Sequence, residues 1–267
     1  MNFTNISDKV IVASHKRSQT ESAMKFPVSI LLALCFVASA SAADLQTPLE
    51  AYRSRQDDAT PVSVLEWLKA GNQRFAAGRS EHGGYPVDAK ERLVVSAQGQ
   101  RPLAVVLSCI DSRTAPEVVF DVSIGDLFTT RVGANVVNDD ILGSIEIAVA
   151  SGAKLVVVLG HTDCGGVKGA CNNLELGHMT QLLERVKPAI AQTNARLDAD
   201  PSLSAEIGER VTTNRRYVAE VSHANAHAST EQIRQRSSIL REQADSGAIQ
   251  IVTAIFNVDT GLVTFDP

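Results

Sequence analysis

Two short apolar runs, each followed by residues that bind metal ions, constrain the fold of this chain most strongly. Residues 103–107 (LAVVL) are followed by Cys109, and residues 155–159 (LVVVL) are followed by His161 and Cys164. Both runs are rich in valine and have no polar face, which is typical of strands buried on both sides of a parallel sheet. Ligands of such sheets bind beyond the carboxyl ends of the strands. The sequence therefore predicts a binding site where these two strands end.

Hydrophobic periodicity elsewhere in the chain predicts helices that alternate with strands. One helix is expected to begin at Thr60, and another to run from a cap at Asn138 to Gly152. Apolar residues within 179–190 indicate a third amphipathic helix. Further strands are expected at residues 127–132, 249–256 and 262–265. This alternation predicts an α/β fold with a parallel central sheet flanked by helices.

The residues at the two strand ends are ligands that zinc prefers. Thiolates from Cys109 and Cys164 and the imidazole of His161 would form a Cys2His set with a fourth position open, as catalytic zinc requires. Zinc lowers the pKa of bound water to roughly 7, but two thiolates cancel its charge, so a nearby proton acceptor is expected. Asp111 fits that role, and Arg113 can keep it ionised through a bidentate pair.

Other interpretations of the same residues stay open at this point. Asp111 could be a fourth ligand of a closed, structural zinc site, because carboxylates also bind zinc well. A redox pair of Cys109 and Cys164 is disfavoured, since the chain has no Cys-x-x-Cys. The glycines after Cys164 do not fit a phosphate-binding loop. Cys171 is expected to be a small buried thiol, and the histidines in polar helical stretches are expected to be solvated, namely His178, His223 and His227.

Composition excludes some classes of partner. The 267 residues carry a net charge of -5, and only 4% are aromatic. The sequence contains no basic patch interleaved with aromatic residues, so neither nucleic acid nor an anionic membrane surface is an expected partner.

Residues 24–43 have the pattern of a secretory signal peptide. Lys25 provides a positive start, residues 28–38 are apolar, and Ala40-Ser41-Ala42 fits a cleavage site. The apolar run is too short to span a bilayer, so the mature protein is expected to be exported without a membrane anchor. Residues 1–23 are unlike a targeting sequence, which predicts that translation starts at Met24.

The predicted organisation therefore has three parts. Residues 1–43 form an extension and signal peptide that the mature protein lacks, and residues 44–60 form a polar lead-in. Residues 61–267 form a single zinc-dependent catalytic domain.

The motifs at both strand ends resemble those of the β-class carbonic anhydrases. Residues 109–113 read CIDSR, and about fifty positions later residues 161–166 read HTDCGG. The resemblance extends to residues 70–79 (AGNQRFAAGR), to residues 125–137 and to the C-terminal IVTAIFNVDTGLVTF. It covers roughly residues 60–267.

This resemblance implies a four-stranded parallel sheet with an antiparallel addition, and a homodimer that could pair into a tetramer. It implies one Zn²⁺ per chain on Cys109, His161 and Cys164, with Asp111 and Arg113 as the catalytic dyad. It also implies that Gln100 hydrogen-bonds the substrate across the dimer, and that the Gly165 N–H meets bicarbonate. A secretory signal in this family indicates a bacterial periplasm.

The implied activity is reversible hydration of carbon dioxide to bicarbonate and a proton. Two alternatives stay open: a hydrolase for CS₂ or COS on the same site, and a non-catalytic zinc-binding protein in which Asp111 closes the metal site.

The chain departs from the family pattern in two places. Gly133-Ala134-Asn135 stands where the family usually has Ala-Gly-Asn, which predicts a local backbone change around an intact site. Residues 213–236 are longer than the family's equivalent helical link, which bears on the C-terminal packing and not on the chemistry.

Overall fold

A five-stranded sheet forms the centre of the fold. The computed structural model describes residues 54–81 and 100–266. The strands are β1 (Ala104–Ser108), β2 (Leu127–Arg131), β3 (Leu155–His161), β4 (Gln250–Phe256) and β5 (Val263–Phe265). Their order across the sheet is β2-β1-β3-β4-β5. The first four are parallel and β5 is antiparallel to β4, which confirms the predicted α/β fold.

One helix precedes β1, and the others lie between the strands in sequence. The helices are α1 (Pro61–Ala76), α2 (Pro116–Val119), α3 (Asp139–Ala150), α4 (Gly165–Cys171), α5 (His178–Glu184), α6 (Lys187–Ala199), α7 (Pro201–Ile207), α8 (Arg215–Arg236) and α9 (Ser238–Asp245). A short 3-10 turn, Gly133–Asn135, follows β2. The single helix expected across residues 179–190 is wrong, because α5 ends before α6 begins. Pro188 explains the break, since it has no N–H to continue a helix from Glu184.

Both faces of the central strands are covered, as a parallel sheet requires. Val156 and Val158 of β3 pack into a cluster with Ile145 of α3 and Ile233 of α8. The alternate residues of β3 point the other way, because successive side chains of a strand face opposite sides. These residues, Leu155, Val157 and Leu159, pack with Leu68 of α1 and Phe120. β1 and β3 are buried along their whole length.

β3 runs two residues further than the apolar run predicts. Gly160 and His161 stay in the strand because they pair with Ile255 and Phe256 of β4. A Cβ on Gly160 would lie 2.9 Å from the Ile255 side chain and 3.0 Å from the Ala226 side chain, so only glycine fits between β4 and α8. His161 is thereby fixed to the sheet itself instead of to the turn that follows it.

Local signals explain where two helices begin. The Thr60 side chain accepts a hydrogen bond from the Ser63 N–H, and the Ser63 side chain accepts one from the Thr60 N–H, which forms a capping box for α1. The Asn138 side chain caps α3 by accepting from the Ile141 N–H. Gly152 follows α3 with a φ of 103°, a backbone conformation that favours glycine. The predicted starts of both helices and the predicted end of α3 are confirmed.

The N-terminal predictions lie largely outside the described residues. That holds for residues 1–43 and for the lead-in up to residue 53, so the predicted domain boundaries stay predictions. Among the helices within 54–81 and 100–266, none is long and apolar enough to cross a bilayer.

Candidate metal centre

The two strand ends bring three soft ligand residues together. The ligand atoms of Cys109, His161 and Cys164 all lie within 4.8 Å of one another, and all three residues are buried. The Sγ atoms of the two cysteines are 4.0 Å apart. Cys109 directly follows β1, His161 is the last residue of β3, and Cys164 caps the start of α4. Because β1 and β3 are neighbours in the sheet, their ends meet.

His161 is held in the orientation that a metal ligand needs. Its Nδ1 lies 2.9 Å from the carbonyl oxygen of Thr162, so the Nδ1–H donates there and Nε2 keeps its lone pair. Nε2 is buried and has no hydrogen-bond partner within the described residues. A buried polar atom without a partner is costly, and a bound cation would satisfy this one.

The two thiols also suit a divalent cation. The pKa of Cys109 is lowered, chiefly because the Cys164 thiol donates a hydrogen bond to it. The pKa of Cys164 is raised, because Cys164 holds that proton next to a thiolate and is itself buried. A divalent cation at this point would replace the shared proton and leave both sulfurs as thiolates. Two thiolates and an imidazole are a donor set that fits zinc.

Asp111 and Arg113 form a bidentate ion pair beside the ligands. Arg113 Nε donates to Oδ1 of Asp111 at 2.9 Å, and Nη2 donates to Oδ2 at 2.7 Å. The Arg113 backbone N–H adds a third hydrogen bond to Oδ1 at 3.0 Å. These hydrogen bonds hold the pKa of Asp111 well below its ordinary value, so the carboxylate acts only as an acceptor.

Arg113 is itself held by a residue that the sequence analysis did not single out. Its Nη1 lies 3.3 Å from Oδ2 of Asp163. In the sequence, Asp163 stands between the candidate ligands His161 and Cys164. Asp163 also pairs with Lys168 and lies 3.9 Å from the Arg215 guanidinium. These cations, Lys168 first, lower the pKa of Asp163. Aspartate is common in turns, so the sequence alone gives no reason to assign Asp163 a role at the site. Its contact with Arg113 is seen only in the folded structure.

Two further side chains fix the backbone of the loop after β1. Arg131 Nε donates to the Cys109 carbonyl at 2.9 Å, and its Nη2 donates to the Asp111 carbonyl at 2.6 Å. The buried Thr114 hydroxyl lies 3.2 Å and 2.9 Å from the same two carbonyls. The sequence analysis included Arg131 only through the resemblance and did not identify Thr114, whose contribution depends on a folded loop.

The departure at Gly133-Ala134-Asn135 has a clear structural form. Ala134, and not Gly133, adopts left-handed backbone angles, with φ 54° and ψ 25°. Asn225 and Ser229 of α8 hold this turn by donating to the carbonyls of Ala134 and Asn135 at 2.7 Å and 2.9 Å. The Ala134 N–H then donates to Cys109 Sγ at 3.3 Å. The turn therefore supports a candidate ligand despite the exchanged residues.

Of the two predicted substrate residues, Gln100 and Gly165, only Gln100 lies at the edge of the described residues. Gln100 is exposed and makes no hydrogen bond within residues 54–81 and 100–266, so its role across a dimer stays a prediction. Gly165 is the first residue of α4, and a Cβ there would meet no atom within 4 Å. Gly166 lies against the turn after β2, because a Cβ there would lie 3.0 Å from that of Ala134.

The family model, the sequence relatives and the solved structures described next are all carbonic anhydrases. The family described as carbonic anhydrase matches residues 104–263. Carbonic anhydrase 2 of Mycobacterium tuberculosis is 35% identical over 207 residues, which are 75% of this chain and 90% of that protein. The carbonic anhydrase of Mycolicibacterium smegmatis is 34% identical over 212 residues, which are 77% of this chain and 93% of that protein.

Solved structures agree in fold. The β-carbonic anhydrase CafA of Aspergillus fumigatus has a TM-score of 0.57 and 27% identity over 74% of this chain and 88% of that one. A tetrameric β-carbonic anhydrase of Sordaria macrospora shares the fold, with a TM-score of 0.57 and 22% identity over 76% of this chain and 96% of its own.

Removal of a ligand is expected to remove zinc from this centre. His161→Ala leaves two of three ligands, so the purified variant should carry one equivalent of zinc less than wild type after dialysis, by mass spectrometry. Cys171→Ala is the matched control, because this half-buried thiol is not one of the grouped ligands. It should keep the wild-type zinc content. Equal zinc in wild type and the folded His161→Ala variant would contradict this assignment.

Proposed function

The chain belongs to the β-class carbonic anhydrases, and we propose that it interconverts carbon dioxide and bicarbonate at a zinc ion held by Cys109, His161 and Cys164. One observation carries the proposal. The buried Cys2His set lies beside the Asp111 carboxylate, which Arg113 holds, and His161 Nε2 has no hydrogen-bond partner in the described chain. When bound, zinc supplies a Lewis acid that lowers the pKa of water to roughly 7.

Asp111 orients the reacting water in this proposal. Arg113 donates two hydrogen bonds to Oδ1, from Nε and the backbone N–H, and one to Oδ2, so Oδ2 keeps a further lone pair. Because Asp111 is ionised, it can accept a hydrogen bond from a water beside the centre but cannot donate one. The water is then held with its own lone pair free to face carbon dioxide. Fixing reactants in this way is a large source of catalytic rate.

The contacts of Asp163 and Arg131 hold this geometry in advance. Asp163 accepts from Nη1 of Arg113 and also pairs with Lys168, so Arg113 is held by a second carboxylate besides Asp111. Arg131 fixes the carbonyls on either side of the loop that bears Asp111. A rigid second layer of this kind keeps ligands and acceptors at working distances.

The same contacts favour an open centre over the closed alternative. For Asp111 to become a fourth ligand, its carboxylate would have to give up the Arg113 fork and the backbone hydrogen bond at 3.0 Å. Hydrogen bonds to a charged group contribute about 1.5–3 kcal/mol each when well formed. We therefore propose a centre whose fourth position is available to water.

We also propose that the chain acts as a homodimer. Ile110 lies between Cys109 and Asp111, yet 65% of its surface is exposed. Leu176 and Met179 are exposed as well, at 63% and 43%. Large apolar side chains at a functional edge are typical of a surface that another protein covers. A partner subunit that covers Ile110 could present the partner's Gln100 to a substrate that also meets the Gly165 N–H of the first chain.

Export is the third part of the proposal. The pattern of residues 24–43 supports a cleaved signal peptide and a periplasmic or secreted mature protein. Zinc would also protect Cys109 and Cys164 in an oxidising compartment, where free thiols are otherwise at risk.

Asp111→Ala is expected to abolish most of the activity while the variant keeps its zinc. Misplacement of a reacting group costs about 100-fold in rate, so kcat/KM for carbon dioxide hydration should fall by about that factor when the water loses its orienting acceptor. Stopped-flow assays with metal analysis measure both. Asp198→Ala is the control, because Asp198 is an exposed acidic residue paired with Arg210. Hydration by the Asp111→Ala variant at the wild-type rate would refute the role of Asp111.

Hybrid dimers test whether Gln100 acts across the interface. Gln100→Ala and Asp111→Ala chains, each nearly inactive, are co-expressed with different tags and purified as a hybrid. If Gln100 serves the partner's centre, one of the two centres has both residues intact, and about half of the wild-type activity returns. If Gln100 serves its own centre, each centre lacks one residue and no activity returns. Full activity of Gln100→Ala alone would remove Gln100 from the site.

N-terminal sequencing tests export. The full chain, expressed in a bacterium with a periplasm and recovered from that compartment, should begin close to residue 43 because cleavage follows Ala42. A mature protein that retains residues 24–42 would contradict a cleaved signal.

A further inference from the structure

A second group of metal-binding side chains lies on the other side of α8 from the turn that supports Cys109. His223 and His227 are one helical turn apart on α8, and Asp266 follows β5. Asp266 Oδ2 lies 3.0 Å from His223 Nε2 and 2.9 Å from His227 Nε2. Within residues 54–81 and 100–266, only this group and the Cys2His set bring three such ligand atoms within 4.8 Å.

The geometry fits a divalent transition metal. Histidines at positions i and i+4 present both imidazoles on one face of a helix, as in helical zinc sites. Ligand atoms at 2.0–2.2 Å around a tetrahedral zinc are about 3.3 Å apart. The observed distances are a few tenths of an ångström shorter, so side-chain rotations would admit an ion. Imidazole and carboxylate ligands without sulfur suit zinc and its neighbours in the first transition series.

The three ligand residues are already held in place. The Asp266 N–H donates to the Thr253 carbonyl of β4 at 3.0 Å. Thr253 in turn hydrogen-bonds Thr230 of α8 at 2.7 Å, so helix and strand are tied beside the group. Asp266 Oδ2 is buried and makes no hydrogen bond within the described chain, although two ring nitrogens lie about 3 Å away. A cation bound between Asp266 Oδ2 and the two Nε2 atoms would contact all three atoms.

The surroundings allow an ion to enter and do not repel it. The two imidazoles line a surface groove and remain partly exposed, at 41% and 44% of their side-chain surface. The charged neighbours in that groove, Arg196 and Glu220, form an ion pair with each other. Their charges offset each other, and Asp266 is the acidic group that contacts both rings.

We propose that His223, His227 and Asp266 form a second binding site for a divalent transition-metal ion of the zinc class. The site shares no residue with the Cys2His centre and does not depend on the activity proposed above. An ion here would join α8 to the end of β5. Asn225 and Ser229, on the buried side of the same helix, hold the turn that hydrogen-bonds Cys109 Sγ. The second ion would therefore brace the helix that supports the first centre.

Metal counting on the purified full-length holoprotein tests this site. In equilibrium dialysis against micromolar Zn²⁺, wild type should bind one equivalent more than the His223→Ala/His227→Ala double variant. His178→Ala is the matched control, because His178 is an exposed histidine outside the group, and it should bind as much as wild type. Asp266→Asn keeps the shape but loses the charge, so it should weaken the second equivalent by at least about tenfold.

Cobalt distinguishes the two centres by their ligands. Co²⁺ bound to thiolates gives an intense sulfur-to-metal charge-transfer absorption, whereas a site of imidazole and carboxylate gives only weak ligand-field bands. The double variant should lose the second equivalent and keep the charge-transfer absorption, which also shows that it is folded. The proposal is overturned if wild type binds no metal beyond the Cys2His equivalent, or if the folded double variant keeps the second equivalent.

Discussion

The parallel register of β1 and β3 is the constraint on which the rest of the structure depends. Ser108 pairs with Leu159, so Cys109 leaves β1 while β3 continues to His161 along β4. A one-residue slip would turn every side chain of a strand to the opposite face of the sheet. The buried valines on both faces oppose that slip, because each would lose its place in one of two packed clusters. The metal ligands thus depend for their position on core packing several residues away.

Around this register, the chain balances charge in successive layers. The ligand atoms of two cysteines and one histidine lie close together in a buried position, where a cation would balance the charge of the thiolates. Arg113 keeps Asp111 ionised beside them. Asp163, which pairs with Lys168, accepts a hydrogen bond from Arg113. Asp111, Arg113, Asp163 and Lys168 therefore form a series of alternating opposite charges beside the ligands. Such an arrangement is prepared before substrate arrives, so little reorganisation is needed during the reaction.

Much of the fold could be predicted because its signals are local. Runs of valine at residues 103–107 and 155–159 predict buried strands, and Asn138 and Gly152 mark the ends of a helix without reference to the rest of the chain. The break before α6 was missed, although Pro188 was a local signal for it. The extension of β3 to His161 could not be predicted in this way, because it depends on pairing with β4 across about ninety residues of sequence.

The candidate site divides along the same line. Cys109, Asp111 and Arg113 are close in sequence, so their spacing predicts a ligand, an acceptor and its clamp. The contacts of Thr114 and Asp163 depend on the folded loop, and the approach of Asp266 to His223 depends on β5 returning to α8. The sequence alone predicted only solvated histidines there, since residues 39 and more positions apart carry no pattern that links them. The proposed role of Gln100 involves a second subunit, so neither a local sequence signal nor the contacts of one chain test it.

The central claim is that Cys109, His161 and Cys164 hold a zinc ion whose fourth position is left to water. Anomalous diffraction at the zinc edge, from crystals of the protein grown at alkaline pH, tests it most directly. We predict an anomalous peak about 2.3 Å from both Sγ atoms and about 2.0 Å from His161 Nε2, with Asp111 still paired to Arg113. No peak at that position, or a peak bonded to an Asp111 carboxylate oxygen, would contradict the account.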